Sequence, residues 1–258
     1  MSASLKFTFL GTGTSQGVPV ITCQCIVCQS TDKKDKRTRT SLMVQSNTTT
    51  IVIDTGPDFR MQMLREKVQD LDAVVFTHGH KDHVAGLDDI RPFNYLLEKT
   101  IDVYAEERVQ EILKREFSYA FIGHDYPGAP QIKLHTIDET PFIIGDISLI
   151  PIRAMHKDLP VLGYRINDFT YITDANFIAD SELEKIKGSK ILVLNALRKE
   201  PHYSHFSLAQ AMEIAHKVQA EQTYFTHISH HLGLHEMVEN ELPATMALAY
   251  DGLAILLT

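Results

Sequence analysis

Cysteine is scarce in this chain: three residues among 258, all between positions 23 and 28. An odd number so closely spaced does not make a disulfide framework and suits a metal clip in a reducing compartment. Long apolar runs are missing too. The N-terminal apolar stretch covers only four to six residues, too short for a signal segment, and no later run approaches the roughly 18 residues of a membrane span. A cytoplasmic protein without a membrane partner is the expectation. Nor is basic charge in excess: 25 Lys and Arg stand against 33 Asp and Glu, a formal charge of −8, which disfavours the broad positive surface that a nucleic-acid backbone requires. No low-complexity linker and no internal repeat divides the sequence, so residues 1–258 are read as a single domain, long enough to bury a full core.

Apolar content of 44% and charged content of 22% are those of a globular protein. Runs of β type fall at 5–10, 41–44, 50–53, 73–76, 101–104, 142–152, 164–172 and 254–257, and helical periodicity at 59–67, 106–117, 181–187 and 207–220. Ser207 reads as an N-cap, Asn167-Asp168 as a hairpin turn, and residues 123–130 as a loop broken up by Gly and Pro. Sheets and helices together give an α/β class with layered sheets and helices. Gly11, Gly13 and Gly17 follow a strand, but their spacing is not that of a dinucleotide fingerprint, and a tight strand-to-loop turn is the better reading. Lys33, Lys34, Lys36, Arg37 and Arg39 form one basic cluster, with Asp32 and Asp35 interspersed. It is read first as a solvated loop, with a phosphate-steering edge as the functional alternative.

Histidine is abundant, thirteen in all. His78, His80, Asp82 and His83 lie within six positions directly after an apolar strand. Imidazole and carboxylate suit zinc, manganese and iron, and so dense a group is not explained by packing. His78 and His80 share one face of an extended segment, while a helical turn around Asp82 would aim that carboxylate and His83 at a second ion. Three further ionisable residues, His156, Asp174 and His227, each end an apolar β-type run, where a sheet edge presents side chains to a shared cleft.

The HxHxDH motif followed by spaced His, Asp and His resembles the metallo-β-lactamase superfamily of dinuclear metallohydrolases, over nearly the whole chain. The resemblance implies a four-layer αββα sandwich. It also implies that His78, His80 and His156 hold one cation, that Asp82, His83 and His227 hold the other, and that Asp174 bridges them. Asp54, after an early strand, matches the family's acidic residue that orients a ligating imidazole. The chemistry so implied is hydrolysis by a hydroxide shared between two divalent ions, Zn, Mn or Fe. Cys23, Cys25 and Cys28 supply three ligands of a structural zinc site, and His230, three positions after His227, is the fourth expected. This clip resembles the subgroup containing the phosphoribosyl cyclic phosphate phosphodiesterases. His205, ahead of a predicted helix, is similar in placement to the general-acid histidine of phosphodiesterase branches, with His202 as a substitute. His124, His135, His216, His231 and His235 have no motif support and are read as surface or packing residues.

The expected function is a metal-dependent phosphodiesterase, monomer or homodimer, acting on a small or cyclic phosphate ester. Ribonuclease Z-like RNA processing is disfavoured because only 18 positions separate His156 from Asp174, which leaves no room there for a tRNA-gripping arm. The N-terminal opening and the clip also resemble the pyrroloquinoline quinone biosynthesis protein B, which would imply oxidative chemistry. A non-catalytic metal-binding protein on the same scaffold is the remaining alternative.

Overall fold

A computed structural model of the chain describes residues 4–121 and 128–258. The loop expected at 123–130 falls mostly outside these residues, as does His124. One sheet holds β1 (Leu5–Gly11), β2 (Ser41–Gln45), β3 (Thr50–Ile53), β4 (Ala73–Val75), β5 (Ile101–Ala105) and β6 (Ile132–Thr136). The other holds β7 (Phe142–Ile144), β8 (Ile147–His156), β9 (Leu159–Ile166), β10 (Phe169–Ile172), β11 (Phe177–Ile178), β12 (Ile191–Asn195), β13 (Gln222–Thr226) and β14 (Met246–Leu248). The last strand, β15 (Ala254–Leu257), returns to the first sheet and pairs with β1. The strand orders are β15-β1-β2-β3-β4-β5-β6 and β11-β8-β9-β10-β12-β13-β14, with β7 paired to β8. Both sheets are mixed. Antiparallel pairs such as β1·β2 and β8·β9 adjoin parallel runs through β3·β4·β5·β6 and β10·β12·β13·β14.

Three apolar layers explain why central strands are hydrophobic on both faces rather than alternating with polar residues. Ile191 and Val193 of β12 join Phe7, Ile51 and Val75 in the layer between the sheets. Their neighbours Leu192 and Leu194 face the helices Asp180–Ile186 and Leu208–Val218 through Leu183, Ala211 and Ala215. On the far side, Val52 and Val74 meet Phe59, Leu87, Phe93, Val109 and Leu113 from helical segments over the first sheet. Phe7 and Phe169 stack across the middle layer with ring centroids 3.8 Å apart. The order helix, sheet, sheet, helix is the four-layer αββα sandwich of the metallo-β-lactamase fold.

The hairpin expected at Asn167-Asp168 joins β9 to β10, with Asn167 left-handed at φ 52°. The run 142–152, read as one strand, is a hairpin too: it breaks at Gly145, whose φ of 55° begins the turn into β8. Ser207 caps its helix: its Oγ accepts from the Gln210 N–H while the Gln210 side chain accepts from the Ser207 N–H, a capping box. The glycine-rich turn is structural as expected, since a Cβ at Gly11 would lie 1.9 Å from the Arg39 carbonyl oxygen and Gly17 has φ 66°. The basic cluster departs from the solvated-loop reading. Arg37 is buried, giving hydrogen bonds to Thr12 Oγ1 (2.8 Å), the Ala249 carbonyl (2.6 Å) and His235 Nδ1 (3.0 Å). Asp35 is buried as well and accepts from the His235 N–H at 2.8 Å. Arg39 pairs with Asp58 at 3.3 Å. Burial draws Arg37 down to about 10, against the pull of Asp251 and Asp35, and so leaves it charged at neutral pH.

Candidate metal centre

Strand ends deliver the site. Asp54 follows β3, His78 and His80 follow β4, His156 closes β8, Asp174 follows β10 and His227 follows β13. Asp54, Asp174 and His227 take φ of 65°, 55° and 55°. This left-handed backbone is costly for residues with a Cβ and concentrates at functional sites. A short helix, Lys81–Val84, turns Asp82 and His83 inward. A Cβ at Gly56 would come within 2.3 Å of the Asp82 carbonyl oxygen, so that glycine lets the Asp54 loop pack against this helix. Gly79 allows close approach of the Ile112 side chain rather than of backbone.

The seven residues expected as ligands come together. His78 Nε2 and His80 Nδ1 are 3.0 Å apart, and the His80 and His156 rings have centroids at 5.2 Å. Asp174 Oδ2 lies 3.2 Å from His83 Nε2 and its Oδ1 lies 3.0 Å from His227 Nε2. Asp82 Oδ2 is 3.3 Å from His83 Nε2 and 3.8 Å from His227 Nε2. Two sets of mutually close ligand atoms result: Asp82, His83, Asp174 and His227, and His156, Asp174 and His205. Asp174 is common to both, the position a bridging carboxylate would take. His205, expected as a proton donor, is thus placed beside the ligand cluster itself.

Hydrogen bonds fix which nitrogen of each imidazole faces inward. Asp54 Oδ1 accepts from the Thr77 N–H (2.9 Å), and its Oδ2 accepts from the Thr77 hydroxyl and from His83 Nδ1–H, both at 2.7 Å. The hydroxyl has one proton and gives it to Asp54, so at 3.0 Å it accepts from His78 Nδ1–H. His156 Nδ1–H donates to the Ser204 carbonyl at 2.7 Å. His78, His83 and His156 therefore all present Nε2 lone pairs, as ligation requires. Asp54 acts directly on His83 and, through Thr77, on His78. Sequence reasoning identified Asp54 but not Thr77, although it adjoins the motif. It missed the Ser204 carbonyl, for which the sequence holds no signal.

The donor set fits a cation. Among the described residues, the buried His83 Nε2, His227 Nε2, His227 Nδ1 and His205 Nδ1 have no hydrogen-bond partner, and the carboxylates near them are poorly aligned for hydrogen bonding. Burial opposes charge throughout the cluster, yet Asp174 and Asp82 push His83 well above its ordinary value and His227 to about 9. Burial likewise opposes ionisation of Asp82 and Asp174, but His83 and His227 hold both carboxyls well below the usual range. The cluster thus demands positive charge at its centre, which a divalent ion would supply. Burial, with the charge of His83 and His156 respectively, keeps His78 and His80 neutral, as ligands must be. Burial lowers His205 to about 3, with His227 and His156 adding to the effect and Asp174 opposing it.

The clip closes as expected. Cys23, Cys25 and Cys28 place Sγ at 3.3, 3.4 and 3.5 Å from His230 Nδ1. A tetrahedral zinc with arms of about 2.3 Å to sulfur and 2.0 Å to nitrogen has an S···N edge of roughly 3.5 Å, so the cage fits that ion. The Cys28 N–H points at Cys25 Sγ (3.4 Å) and the Val20 N–H at Cys28 Sγ (3.3 Å). The former is the main reason Cys25 is drawn down to about 6, towards the thiolate a metal needs.

Residues 49–228 match the family model described as the beta-lactamase superfamily domain. The chain belongs to this superfamily. A solved diphosphatase from the PhnP family superposes with a TM-score of 0.93 at 40% identity, covering 98% of this chain and 97% of that one. An octanoyltransferase of Porphyromonas gingivalis is 40% identical over 252 residues, 96% of this chain and 51% of that protein. A ribonuclease Z of Nanoarchaeum equitans is 24% identical over 162 residues, 58% of this chain and 50% of that protein. The chain therefore spans about half the length of these two curated relatives. No helix among the described residues is long and apolar enough to cross a membrane.

Proposed function

We propose that the protein is a metal-dependent phosphodiesterase of one domain that hydrolyses a small or cyclic phosphate ester. The observation that carries this reading is the convergence of His78, His80, His156, Asp82, His83, His227 and Asp174, with buried imidazole nitrogens left unpartnered at its centre. His78, His80 and His156 would hold one divalent ion, Asp82, His83 and His227 the other, and Asp174 both. Zinc, manganese and iron all suit this donor set, and a third ion, zinc, suits the clip. Two such cations supply charge stabilisation at phosphorus and ionise water near neutral pH.

The chain's own residues do the rest. Asp54 and Thr77 hold His83 and His78, and the Ser204 carbonyl holds His156, in the tautomers that ligation would require. In hydrolysis a water oxygen bonds to phosphorus, the ester P–O bond breaks, and the leaving oxygen needs a proton. His205 would provide it once the negative charge of a bound phosphate ester offsets the burial that otherwise keeps its ring neutral: its ring centroid lies 4.5 Å from that of His156 and 4.8 Å from that of His227, at the edge of the cluster. The 18 positions from His156 to Asp174 are taken up mainly by the β9–β10 hairpin, which supports a small substrate over a tRNA. The name of the 40% identical octanoyltransferase belongs to a protein about twice as long. Here all three cysteines lie in the clip.

The test is turnover of a chromogenic phosphodiester beside a β-lactam and a thioester, before and after chelation. Hydrolysis of the diester alone, abolished by the chelator and restored by Zn²⁺ or Mn²⁺, is the expected result. Metal-loaded protein that spares the diester and consumes the thioester overturns the proposal.

A further inference from the structure

A cation held by His78, His80 and His156 would draw on both sheets. His78 and His80 follow β4 of the first sheet, whereas His156 closes β8 of the second, and the apolar layer between the sheets has no directional preference of its own. Directional contacts join the β8–β9 hairpin to the first sheet at this end. The Tyr164 hydroxyl, fully buried, donates to the Phe76 carbonyl at 2.6 Å, and the Leu162 N–H donates to the Thr77 carbonyl at 3.0 Å. These two bonds hold the residues that precede His78. A third contact, on the His156 side, is a charge network around Glu106, the residue after β5.

The Glu106 carboxylate accepts from two guanidinium groups. Arg153, on β8 three positions before His156, donates from Nη2 to Oε1 at 2.6 Å and from Nη1 to Oε2 at 3.2 Å, a two-pronged pair. Arg108, on the helix Glu107–Glu116, donates from Nη2 and Nε to Oε2 at 2.6 and 3.2 Å. Its Nη2 also donates to the carbonyl of Pro160, which stands opposite Met155 in the β8–β9 ladder, one step from His156 and Leu159. One carboxylate of the first sheet thus grips both strands of the hairpin close to His156. The Arg153 and Glu106 side chains are only 21% and 15% exposed, so the pair escapes much of the solvent screening that weakens surface ion pairs. Burial opposes charge on Glu106, but Arg153 and Arg108 hold its carboxyl below the usual range. The hairpin itself forms through its own ladder; what Glu106 adds is its placement against the first sheet.

We infer that Glu106 is a positioning residue of the metal centre: through Arg153 and Arg108 it sets how closely His156 stands to His78 and His80, and with that the affinity of this half of the centre for its cation. The inference rests on the reading of these three histidines as one ligand set. Glu106 touches none of them, and acts only by holding the strand that carries the third.

The test is titration of the full chain with Zn²⁺ against a competing chelator, with elemental analysis and the melting temperature measured on the same samples. Wild-type protein should hold three equivalents. In Glu106→Gln, affinity for one of them should fall about ten- to a hundredfold, as the loss of one or two charge-assisted hydrogen bonds that hold the liganded geometry would give. The other two should be kept. Glu106→Asp, which keeps the charge on a shorter arm, should restore part of the loss. In His156→Ala, which already lacks the ring that Glu106 places, adding Glu106→Gln should weaken zinc binding no further. A merely structural residue would lower the melting temperature and leave the three affinities unchanged relative to one another. Wild-type affinity for all three equivalents in Glu106→Gln, or an undiminished further loss on top of His156→Ala, overturns the inference. Should Glu106→Gln fail to fold, Arg108→Gln, which removes the tie to Pro160, carries the same comparison: a smaller loss at one equivalent supports the inference and none refutes it. If the wild type binds the clip zinc alone, the ligand-set reading has failed and the role of Glu106 falls with it.

Discussion

Replacing Asp54 with Asn should weaken metal binding without touching a ligand. The carboxylate is fully buried and accepts three hydrogen bonds, one from His83 Nδ1–H and two from Thr77. An amide keeps the volume but can accept through one oxygen only. With its NH2 in the Oδ1 place it faces the Thr77 N–H, two buried donors against each other; with its NH2 in the Oδ2 place it faces both the Thr77 hydroxyl and His83 Nδ1. In the second orientation the amide donates, the His83 proton moves to Nε2, and the lone pair facing Asp82 and Asp174 is lost. Either way the hold on His83 is weakened, by a buried donor clash or by the wrong tautomer. Loss of such an orienting partner costs about 10- to 100-fold in metal affinity, or about 1.4 to 2.7 kcal/mol. The assay is competition with a chromogenic chelator, with elemental analysis after dialysis. Asp54→Asn should lose metal at chelator concentrations the wild type tolerates, and activity should return in excess metal. Thr77→Val, which removes the hydroxyl that links Asp54 to His78 but leaves the His83 bond to Asp54, should lose less. Wild-type affinity at every site in Asp54→Asn would refute the tautomer argument.

Three further outcomes are expected. His205→Ala should retain its metals by elemental analysis while turnover of an ester with a poor leaving group falls about 10²- to 10⁴-fold, the range for a general acid. If metal is lost as well, His205 is a ligand, as its proximity to Asp174 allows. Cys25→Ser should lose one equivalent of zinc and lower the melting temperature, because the clip ties residues 23–28 to the segment following His227 and its binding free energy adds to folding. A variant with full zinc content and an unchanged melting point would refute the clip. His235→Asn should flatten the acid side of the stability curve. Burial, with the charge of Arg37 and Lys34, holds His235 down to about 4. The unfolded chain therefore binds a proton between about 6.5 and 4 that the folded chain does not, and stability present above the unfolded pKa is lost as pH falls through that window. The loss amounts to at most about 3 kcal/mol. Urea unfolding of both proteins at several pH values checks it, and equal slopes would exclude His235.

What could be read from the sequence divides along physical lines. The candidate ligands are legible because a metal site would leave ionisable residues immediately after apolar strands, where a soluble loop has no reason to repeat them. His78 to His83, His156, Asp174 and His227 need no tertiary information to be noticed. Strands β6, β12 and β14 and the helix Arg91–Leu97 had no counterpart among the expected elements. In β12 the run Ile191 to Asn195 is buried on both faces and so lacks the alternation that marks a half-buried strand. Arg37 shows the opposite failure. A run of Lys and Arg reads as solvated, yet its guanidinium is buried because Thr12, the Ala249 carbonyl and His235, drawn from three distant parts of the chain, meet around it. The same limit applies at the metal centre. Which nitrogen of His78 or His156 faces a cation is set by Thr77 and by the Ser204 carbonyl, and the latter is a backbone atom with no side-chain signature. Spacing can therefore nominate ligands, but the proton positions that let them ligate follow only from the hydrogen bonds that the packed fold creates.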